Sequence, residues 1–271
     1  MEQKKGLVQG MSILSAAADV LRLFSVTRSE LTVTEVSQVL DLPKSNVSRL
    51  LRAMRDAGFL ETVGDSKRYR PGLLLHQTGH IYRFATSLID RADAVVARVA
   101  DEIGHTGYIS MRRGNDVVGI TFHPGRNVLR VVSTIGDRIA AFASSTGRAL
   151  LARLPDAEVA ALYPRGFTPP SATAPQSLND LMARIAEVRR SGFAESHDEA
   201  VRGVGAISVA VGDPVTGDEA ALCISYPAST VTREERRRII AALGAGAAEI
   251  ASLTGDKRFI PVTALTEDAI P

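Results

Sequence analysis

The stretch from residue 42 to residue 59 constrains the fold most, because its pattern predicts one helix with two different faces. Pro43 suits the first helical position, and Gly58 suits the stop just beyond the last turn. The apolar side chains recur at the i, i+3, i+4 and i+7 spacing of a helix packed on a small core. They are Val47, Leu50, Leu51 and Met54.

The opposite face of this helix carries short hydrogen-bonding side chains and cations. The set consists of Lys44, Ser45, Asn46, Ser48, Arg49 and Arg52, and the first acidic residue after them is Asp56. Small polar side chains reach base edges in a major groove, while Arg and Lys contact phosphates. We interpret this face as a DNA-binding surface; the alternative is an ordinary solvated helix face.

The segments before and after this helix favour the DNA interpretation. Residues 12–24 have helical spacing, and Thr32 with Glu35 forms a capping box that starts a short second helix. Two short helices joined by a tight turn form a helix-turn-helix. Residues 59–71 then predict a hairpin, or wing, with Lys67 and Arg68 near its tip. A plain structural hairpin is the alternative for this segment.

The composition is that of a globular protein that works without disulfides. Its 271 residues are 45% hydrophobic and 23% charged, and no apolar run is long enough to span a membrane. A single cysteine, Cys223, excludes an internal disulfide framework and a multi-cysteine zinc site, so we expect a cytoplasmic protein. Residues 1–85 hold 12 Lys and Arg against 8 Asp and Glu, which concentrates the positive charge in the predicted DNA-binding part.

The rest of the chain predicts a linker helix followed by a second domain. Helical spacing covers residues 73–88, and a further helix is expected at residues 90–103. Beyond them, strands and helices alternate without a parallel βαβ rhythm. The expected strands lie at 108–111, 116–122, 128–132, 193–201, 204–211 and 219–226, and a loose tail is expected after Gly255.

Three sequence stretches resemble the IclR family of bacterial transcriptional regulators. The first runs from Leu42 to Phe59, the second is Ser145-Thr146-Gly147-Arg148-Ala149-Leu150-Leu151-Ala152, and the third spans residues 192–206. The resemblance implies a winged helix-turn-helix domain at residues 8–72 and a linker helix at 73–90. It further implies a GAF-like effector-binding domain of α+β type, with a mainly antiparallel sheet, at 91–255. The loose tail expected from the residue pattern then occupies residues 256–271 as a flexible tail. Family members are dimers or tetramers that bind operator DNA and small organic acids or aromatic compounds, and they control catabolic operons.

The same resemblance implies a set of effector-binding positions in the second domain. They are Val128, Val131, Ile139, Ser145, Thr146, Ser196, Ala206, Cys223 and Ser225. Ser196 and Ala206 depart from the family pattern, so the effector is expected to differ from glyoxylate or pyruvate. The apolar Val128, Val131 and Ile139 favour an aromatic or longer carboxylic acid.

Two features of the residues themselves support a ligand cavity there. Residues 144–146 precede a helix whose free N–H groups favour an anion, although a plain Ser/Thr N-cap explains them equally well. In the strand at 220–226, alternation places Ala221, Cys223 and Ser225 on one small, faintly polar face. The other face is bulky and apolar, as a core requires.

Two rival functions are compatible with parts of the sequence. An enzyme could use Ser145 or Cys223 as its nucleophile, but a G-x-S-x-G elbow and an evident base are absent. A protein-interaction module would bind a partner chain through the winged domain. His76 and His80 have i, i+4 spacing without a third ligand, so we expect no metal and no cofactor.

Overall fold

The computed structural model describes residues 12–25, 28–64, 66–85, 87–128, 131, 136 and 138–263, with the backbone alone for residues 82–85. The chain divides into two compact units, residues 1–85 and residues 86–271, and each contains a hydrophobic core of its own. No helix in the described ranges is long and apolar enough to cross a membrane.

The first unit is a winged helix-turn-helix. Its elements are α1 (Ile13–Arg22), β1 (Leu31–Thr32), α2 (Val33–Leu40), α3 (Lys44–Asp56), β2 (Leu60–Thr62), β3 (Arg68–Pro71) and α4 (Leu73–Ala85). The three strands form an antiparallel sheet in the order β1-β3-β2, in which Leu31 pairs with Tyr69. The buried stripe of α3 packs on this sheet and on α1 and α2, which fixes the opposite face of α3 toward solvent.

Local signals predicted this unit well, with two small differences. The capping box is present, because Glu35 N donates to Thr32 Oγ1 over 3.2 Å and Thr32 N donates to Glu35 Oε2 over 2.6 Å. Pro43 is the N-cap of α3 and not its first helical residue, a one-residue shift typical of helix ends. The two-residue strand β1 was missed, because only its pairing with β3 defines it.

The second unit is an α+β domain built on one antiparallel sheet. Its helices are α5 (Ser87–Ile103), α6 (Ser145–Leu151), α7 (Asp156–Leu162), α8 (Leu178–Ser191) and α9 (Arg233–Thr254). Its strands are β4 (Thr106–Arg113), β5 (Asp116–His123), β6 (Arg138–Ala140), β7 (Ala194–His197), β8 (Val204–Asp213) and β9 (Asp218–Pro227). The strand order is β6-β5-β4-β9-β8-β7, and every pairing is antiparallel.

Helices cover both faces of this sheet, and alternation along β9 separates the two cores. Leu222, Ile224 and Tyr226 pack with α5 and α9 on one face. Ala221 packs with α6 and α8 on the other face, where Cys223 also lies. The predicted alternation of this strand is therefore confirmed, and its small polar side faces α6.

Two strand expectations for the second unit differ from the described structure. The third described strand is β6; of the strand expected at 128–132, Val128 and Val131 lie outside the strands, and residues 129, 130 and 132 lie outside the described residues. The strand expected at 193–201 ends at His197, because Asp198 has a left-handed φ of 56° and begins a turn. At the N-cap of α9, Glu235 N donates to Thr232, and the Glu235 carboxylate lies 3.2 Å from His105 Nε2.

The segment after Gly255 is packed where the structure describes it, although a loose tail was expected from residue 256. Arg153 Nη2 donates to the buried Asp256 carboxylate over 2.9 Å, and Asp256 also accepts from Gly212 N. Phe259 and Val262 pack against the core between the sheet and α9. These long-range contacts leave no local pattern in the sequence. Residues 264–271 lie outside the described residues.

Candidate nucleic-acid interface and ligand site

The polar face of α3 is open to solvent, and its Lys and Arg side chains form no ion pair with a described carboxylate. Lys44, Ser45, Asn46, Arg49 and Arg52 are exposed, and Ser48 is half-buried. Arg49 Nη2 lies 3.4 Å from Asn46 Oδ1, and Arg52 bonds to the backbone and side-chain oxygens of Ser48. Among the described residues, no carboxylate forms an ion pair with Lys44, Arg49 or Arg52. This face can therefore offer both hydrogen-bonding groups and free positive charge to a nucleic acid.

Arg55, at the C-terminal end of the same helix, is neutralised by a neighbouring carboxylate. Arg55 lies 2.7 Å from the Asp56 carboxylate, and this contact raises the pKa of Arg55. The neutralising pair marks the end of the cationic surface of α3. We define the cationic face as Lys44, Ser45, Asn46, Ser48, Arg49 and Arg52.

The wing contributes fewer free cations than its sequence suggested. Lys67 and Arg68 are both exposed, but Arg68 lies 3.4 Å from Glu30. Arg70 pairs with Glu61 at 3.1 Å, and Glu61 also accepts a hydrogen bond from Leu73 N. The Leu73 N–H and then Arg70 lower the pKa of Glu61, which holds this ion pair at the base of the wing. Lys67 is thus the wing cation most available to a phosphate.

On the second unit, the sheet face beneath α6 collects small hydroxyl and thiol side chains. Ser145 Oγ and Ser208 Oγ are 2.8 Å apart, and both side chains are buried. Ser208 pairs in register with Cys223, whose Sγ lies 3.5 Å from Ser225 Oγ. We call Ser145, Ser208, Cys223 and Ser225 the serine cluster.

A neighbouring row of the sheet continues this small-residue surface. Ser196 on β7 pairs with Ala206 on β8, and Ala206 pairs with Ser225 on β9. Paired residues of adjacent strands point to the same face, so Ser196 and Ala206 lie beside Ser225 of the serine cluster. Five predicted positions, Ser145, Ser196, Ala206, Cys223 and Ser225, therefore meet on one face.

The remaining predicted effector residues occupy different places. Thr146 is buried next to Ser144, with its Oγ1 3.4 Å from Ser144 Oγ. Ile139 pairs with Val117 and packs on the core that contains α6. The carbonyl of Val131 accepts a hydrogen bond from the Tyr108 hydroxyl over 3.1 Å. Val128 is fully exposed and lines a different depression with His105 and Glu235, so the structure does not bring it to the cluster.

The sequence left open whether residues 144–146 bind an anion or only cap α6, and the start of α6 decides this for Ser144. Ser144 is a plain N-cap, since its Oγ accepts from Gly147 N over 3.1 Å. Ser145 and Thr146 are the first two helical residues. The Ser145 hydroxyl contacts β8, where it meets Ser208, while the Ser144 hydroxyl donates to the carbonyl of Ala140 in β6.

Two residues at this face were missed by sequence reasoning. Ser208 is fully buried within the cluster, and Tyr108 packs with Ala206 and Cys223 while stacking on Phe122. Alternation along β8 would have placed Ser208 on the same face as Ala206. The register between β8, β9 and β4 that joins them to Cys223 cannot be read from local spacing.

The cluster does not have the chemistry of an activated nucleophile. Burial raises the pKa of the Cys223 thiol, and the hydroxyls of Ser208, Ser225 and Ser145 oppose only part of that effect. In the ranges that the structure covers, no imidazole or carboxylate forms a hydrogen bond with Ser145 or Cys223. His76 and His80 are exposed on α4, and no group of three metal-binding side chains occurs among the described residues.

A winged helix-turn-helix with an open cationic face, followed by a domain with a small polar face, defines a ligand-responsive DNA-binding regulator of transcription. Two family models agree with this class: "IclR helix-turn-helix domain" matches residues 14–64, and "Bacterial transcriptional regulator IclR C-terminal" matches residues 82–252. The chain belongs to the IclR family of bacterial transcriptional regulators, a family of regulators and not of enzymes.

Characterised relatives extend over most of the chain. The transcriptional repressor AllR of Klebsiella pneumoniae is 28% identical over 258 residues, which cover 90% of this chain and 94% of the repressor. The regulator XynR of Escherichia coli K12 is 27% identical over 220 residues, covering 80% of this chain and 84% of XynR.

Solved structures share the fold. An IclR-type regulator from Alicyclobacillus acidocaldarius superposes with a TM-score of 0.80 at 24% identity, covering 91% of this chain and 100% of the other. An IclR homologue from Microbacterium hydrocarbonoxydans in complex with 4-hydroxybenzoate gives a TM-score of 0.74 at 19% identity, with 89% and 100% coverage.

Proposed function

We propose that this protein controls a catabolic operon in the cytoplasm and that its effector is a small organic acid, aliphatic or aromatic. Residues 8–72 bind the operator, residues 73–90 form the linker, and residues 91–255 bind the effector. In this proposal, effector binding changes the placement of the DNA-binding domains through the linker and thereby changes operator affinity.

The observation that carries the effector proposal is the small polar face under α6. Five residues expected at effector contacts lie together on adjoining strands and on the first turn of α6, and Ser208 and Tyr108 join them. Small side chains leave room for a ligand, while hydroxyls supply hydrogen bonds that orient it. Ser145, Thr146, Ser196, Ser208, Cys223 and Ser225 are the proposed polar contacts.

An aromatic or longer carboxylic acid fits the residues around the serine cluster better than a two-carbon acid does. Tyr108 and Phe122 stack beside the cluster with ring centroids 6.1 Å apart, and Ile139 packs on the neighbouring core that contains α6. A solved IclR homologue contains 4-hydroxybenzoate, which is an acid of this kind. The polar contacts would then bind the carboxylate or a ring hydroxyl.

The first unit supports binding to DNA as a dimer. Large apolar side chains are exposed on α1 and α4, namely Ile13, Leu14, Leu73, Leu74 and Ile81. In this proposal, a second copy of the chain covers these exposed apolar side chains. A symmetric dimer would place two α3 helices in successive major grooves, about 34 Å apart per helical turn. A dimer of such dimers is the tetramer that the family resemblance implies.

The test is fluorescence anisotropy of the full-length protein on DNA from upstream of its own gene. The logarithm of the binding constant should fall linearly with the logarithm of salt concentration, because Lys and Arg displace counterions from phosphates. One acid from a panel of aliphatic and aromatic acids should then strengthen or release that binding. Affinity no better than for random DNA, at every salt concentration and with every acid, would reject this operator and effector class.

A further inference from the structure

Two arginines of the cationic face differ in what their guanidinium groups contact. Arg49 Nη2 donates to Asn46 Oδ1 over 3.4 Å, and Arg49 forms no other hydrogen bond with a described residue. Arg52 donates from Nε to Ser48 O over 3.3 Å and from Nη2 to Ser48 Oγ over 3.4 Å. Both arginines are exposed on the same helix, so this difference bears on which part of a DNA duplex each of them can bind.

The contacts of Arg52 suit a phosphate. A guanidinium reads guanine with two parallel N–H donors, one to O6 and one to N7. In Arg52 the Nε and Nη2 donors of one edge are directed back to Ser48. The Nη1 group and the positive charge stay available, and a phosphate oxygen can accept from a single donor without fixing the identity of a base.

The contacts of Arg49 suit a base. The bond to Asn46 holds the guanidinium beside that amide, and the Nε and Nη1 donors are unused within the described ranges. Asn46 and Arg49 are the third and sixth residues of α3, which begins at Lys44. In a helix-turn-helix, the N-terminal residues of the second helix contact base edges in the major groove. Asn46 and Arg49 therefore lie where bases are read.

The spacing of Asn46 and Arg49 matches that of neighbouring base pairs. Their side chains approach to 3.4 Å, and successive bases of one DNA strand are separated by about 3.4 Å along the helix axis. An asparagine amide forms two hydrogen bonds with adenine, at N6 and N7, and a guanidinium forms two with guanine, at O6 and N7. Each group can therefore pair with one base while the two bases stay stacked.

The remaining cation of this face lies at the start of the helix. Lys44 is exposed and forms no ion pair with a described carboxylate. Its ammonium is a point charge on a flexible stem, which suits a phosphate and gives no fixed donor geometry for a base. Lys44 and Arg52 lie on either side of Asn46 and Arg49 along α3, so phosphate contacts at these two positions would hold the other two side chains in register with the bases.

We propose that Asn46 and Arg49 read two adjacent base pairs of the operator, an adenine by Asn46 and a guanine by Arg49, while Lys44 and Arg52 bind phosphates. The inference rests on the proposed operator binding. It deepens that proposal, because it assigns the sequence specificity of α3 to two side chains and names the bases that they recognise.

The first experiment is the selection of binding sites by the full-length protein from duplexes of randomised sequence. The selected sites should contain an A·T pair next to a G·C pair at two strongly preferred positions. Selection with Asn46→Ala should lose the preference at the A·T position alone, and selection with Arg49→Ala at the G·C position alone. Arg52→Ala is the matched control on the same helix, and it should select the same sites as the unmodified protein.

The second experiment is fluorescence anisotropy on a selected duplex. Replacing its G·C pair by A·T should weaken binding of the unmodified protein by about ten- to a hundredfold, but binding of Arg49→Ala by less than about twofold. Arg52→Ala and Lys44→Ala should each weaken binding to all duplexes by a similar factor. Each should also make the slope of the logarithm of the binding constant against the logarithm of salt concentration shallower by about 1.

The possible results separate the base assignment from operator binding itself. An Asn46→Ala or Arg49→Ala protein that still selects the unmodified sites would overturn the assignment and leave operator binding intact. A loss of base preference in Arg52→Ala would also overturn it, because that arginine would then read a base. Selection of no sequence above the random background would reject operator binding and the assignment together. All four substituted side chains are exposed, so the variants should keep the circular dichroism spectrum of the unmodified protein.

Discussion

Arg148 donates to both carboxylate oxygens of Glu199, over 2.5 and 2.9 Å, and both side chains are almost completely buried. Arg184 adds a second cation at 3.1 Å from Glu199 Oε1, and Arg148 also donates to the carbonyl of Phe142. This network joins α6 to the turn that follows β7. The two stretches of the second unit that most resemble the family are therefore in direct contact, and together they hold Ser145 and Ser196 in place.

Removing the carboxylate from this network should strongly destabilise the second unit. Glu199→Ala leaves Arg148 buried without its counter-charge, and the loss of one partner of a buried ion pair costs about 3 to 5 kcal/mol. Denaturant unfolding monitored by circular dichroism would measure the change. Glu187→Ala, which removes an exposed pair with Arg190, should change the unfolding free energy by less than about 0.5 kcal/mol. Equal effects of the two variants would contradict the assigned network.

The cationic face of α3 makes a separate prediction about DNA. Arg49→Ala should reduce operator affinity by about ten- to a hundredfold, because Arg49 is exposed and forms no ion pair with a described carboxylate. Arg55→Ala is the matched control on the same helix, since Arg55 is already neutralised by Asp56. Anisotropy titrations at several salt concentrations would measure both. An Arg49 variant that binds the operator like the unmodified protein would remove α3 from the role of recognition helix.

The hydroxyl pair beneath α6 should be energetically coupled. Ser145→Ala or Ser208→Ala alone leaves the other hydroxyl buried without its partner, which costs about 1 to 3 kcal/mol. The double variant should cost less than the sum of the two, by about 1 kcal/mol, because no unpaired hydroxyl remains. Denaturant unfolding of the four proteins gives the coupling energy. Strict additivity would show that the two serines do not share the hydrogen bond.

The thiol of Cys223 should resist alkylation in the folded protein. Burial raises its pKa, so the reactive thiolate is scarcer at neutral pH than in an exposed cysteine. The same shift implies a loss of stability at alkaline pH: above the ordinary thiol pKa the unfolded chain releases a proton that the folded chain retains. Iodoacetamide labelling followed by mass spectrometry, with and without denaturant, tests the first statement. Rapid labelling of the native protein at pH 7 would contradict it.

The sequence predicted best what local periodicity controls. The buried stripe of α3, the capping box at Thr32 and the alternation of β9 all follow from spacings within a few residues, and the structure contains each of them. The winged helix-turn-helix is made almost entirely of such local signals. For this reason the fold class and the exposed polar face of α3 could be predicted in some detail.

Features that depend on distant residues were predicted less well. Strand β1 exists only through its pairing with β3, and Ser208 reaches Ser145 across 63 positions of sequence separation. Strand β6 was not predicted, because its three residues are too few to show an alternating pattern and its pairing with β5 defines it. The fixed segment after Gly255 depends on Arg153, about a hundred residues away.

Two glycine-to-alanine substitutions should have opposite signs. A Cβ atom on Gly147 would lie 2.0 Å from the carbonyl oxygen of Ala141, so Gly147→Ala must displace α6 from the turn before it and should cost about 1 to 3 kcal/mol. Gly79 lies within α4, where an added Cβ atom would have open space around it. Gly79→Ala should therefore stabilise the first unit by about 0.5 to 1 kcal/mol through helix propensity. Calorimetry that separates the two unfolding transitions would measure each effect. A stabilised second unit in Gly147→Ala would mean that α6 does not approach the Ala141 backbone as closely as described.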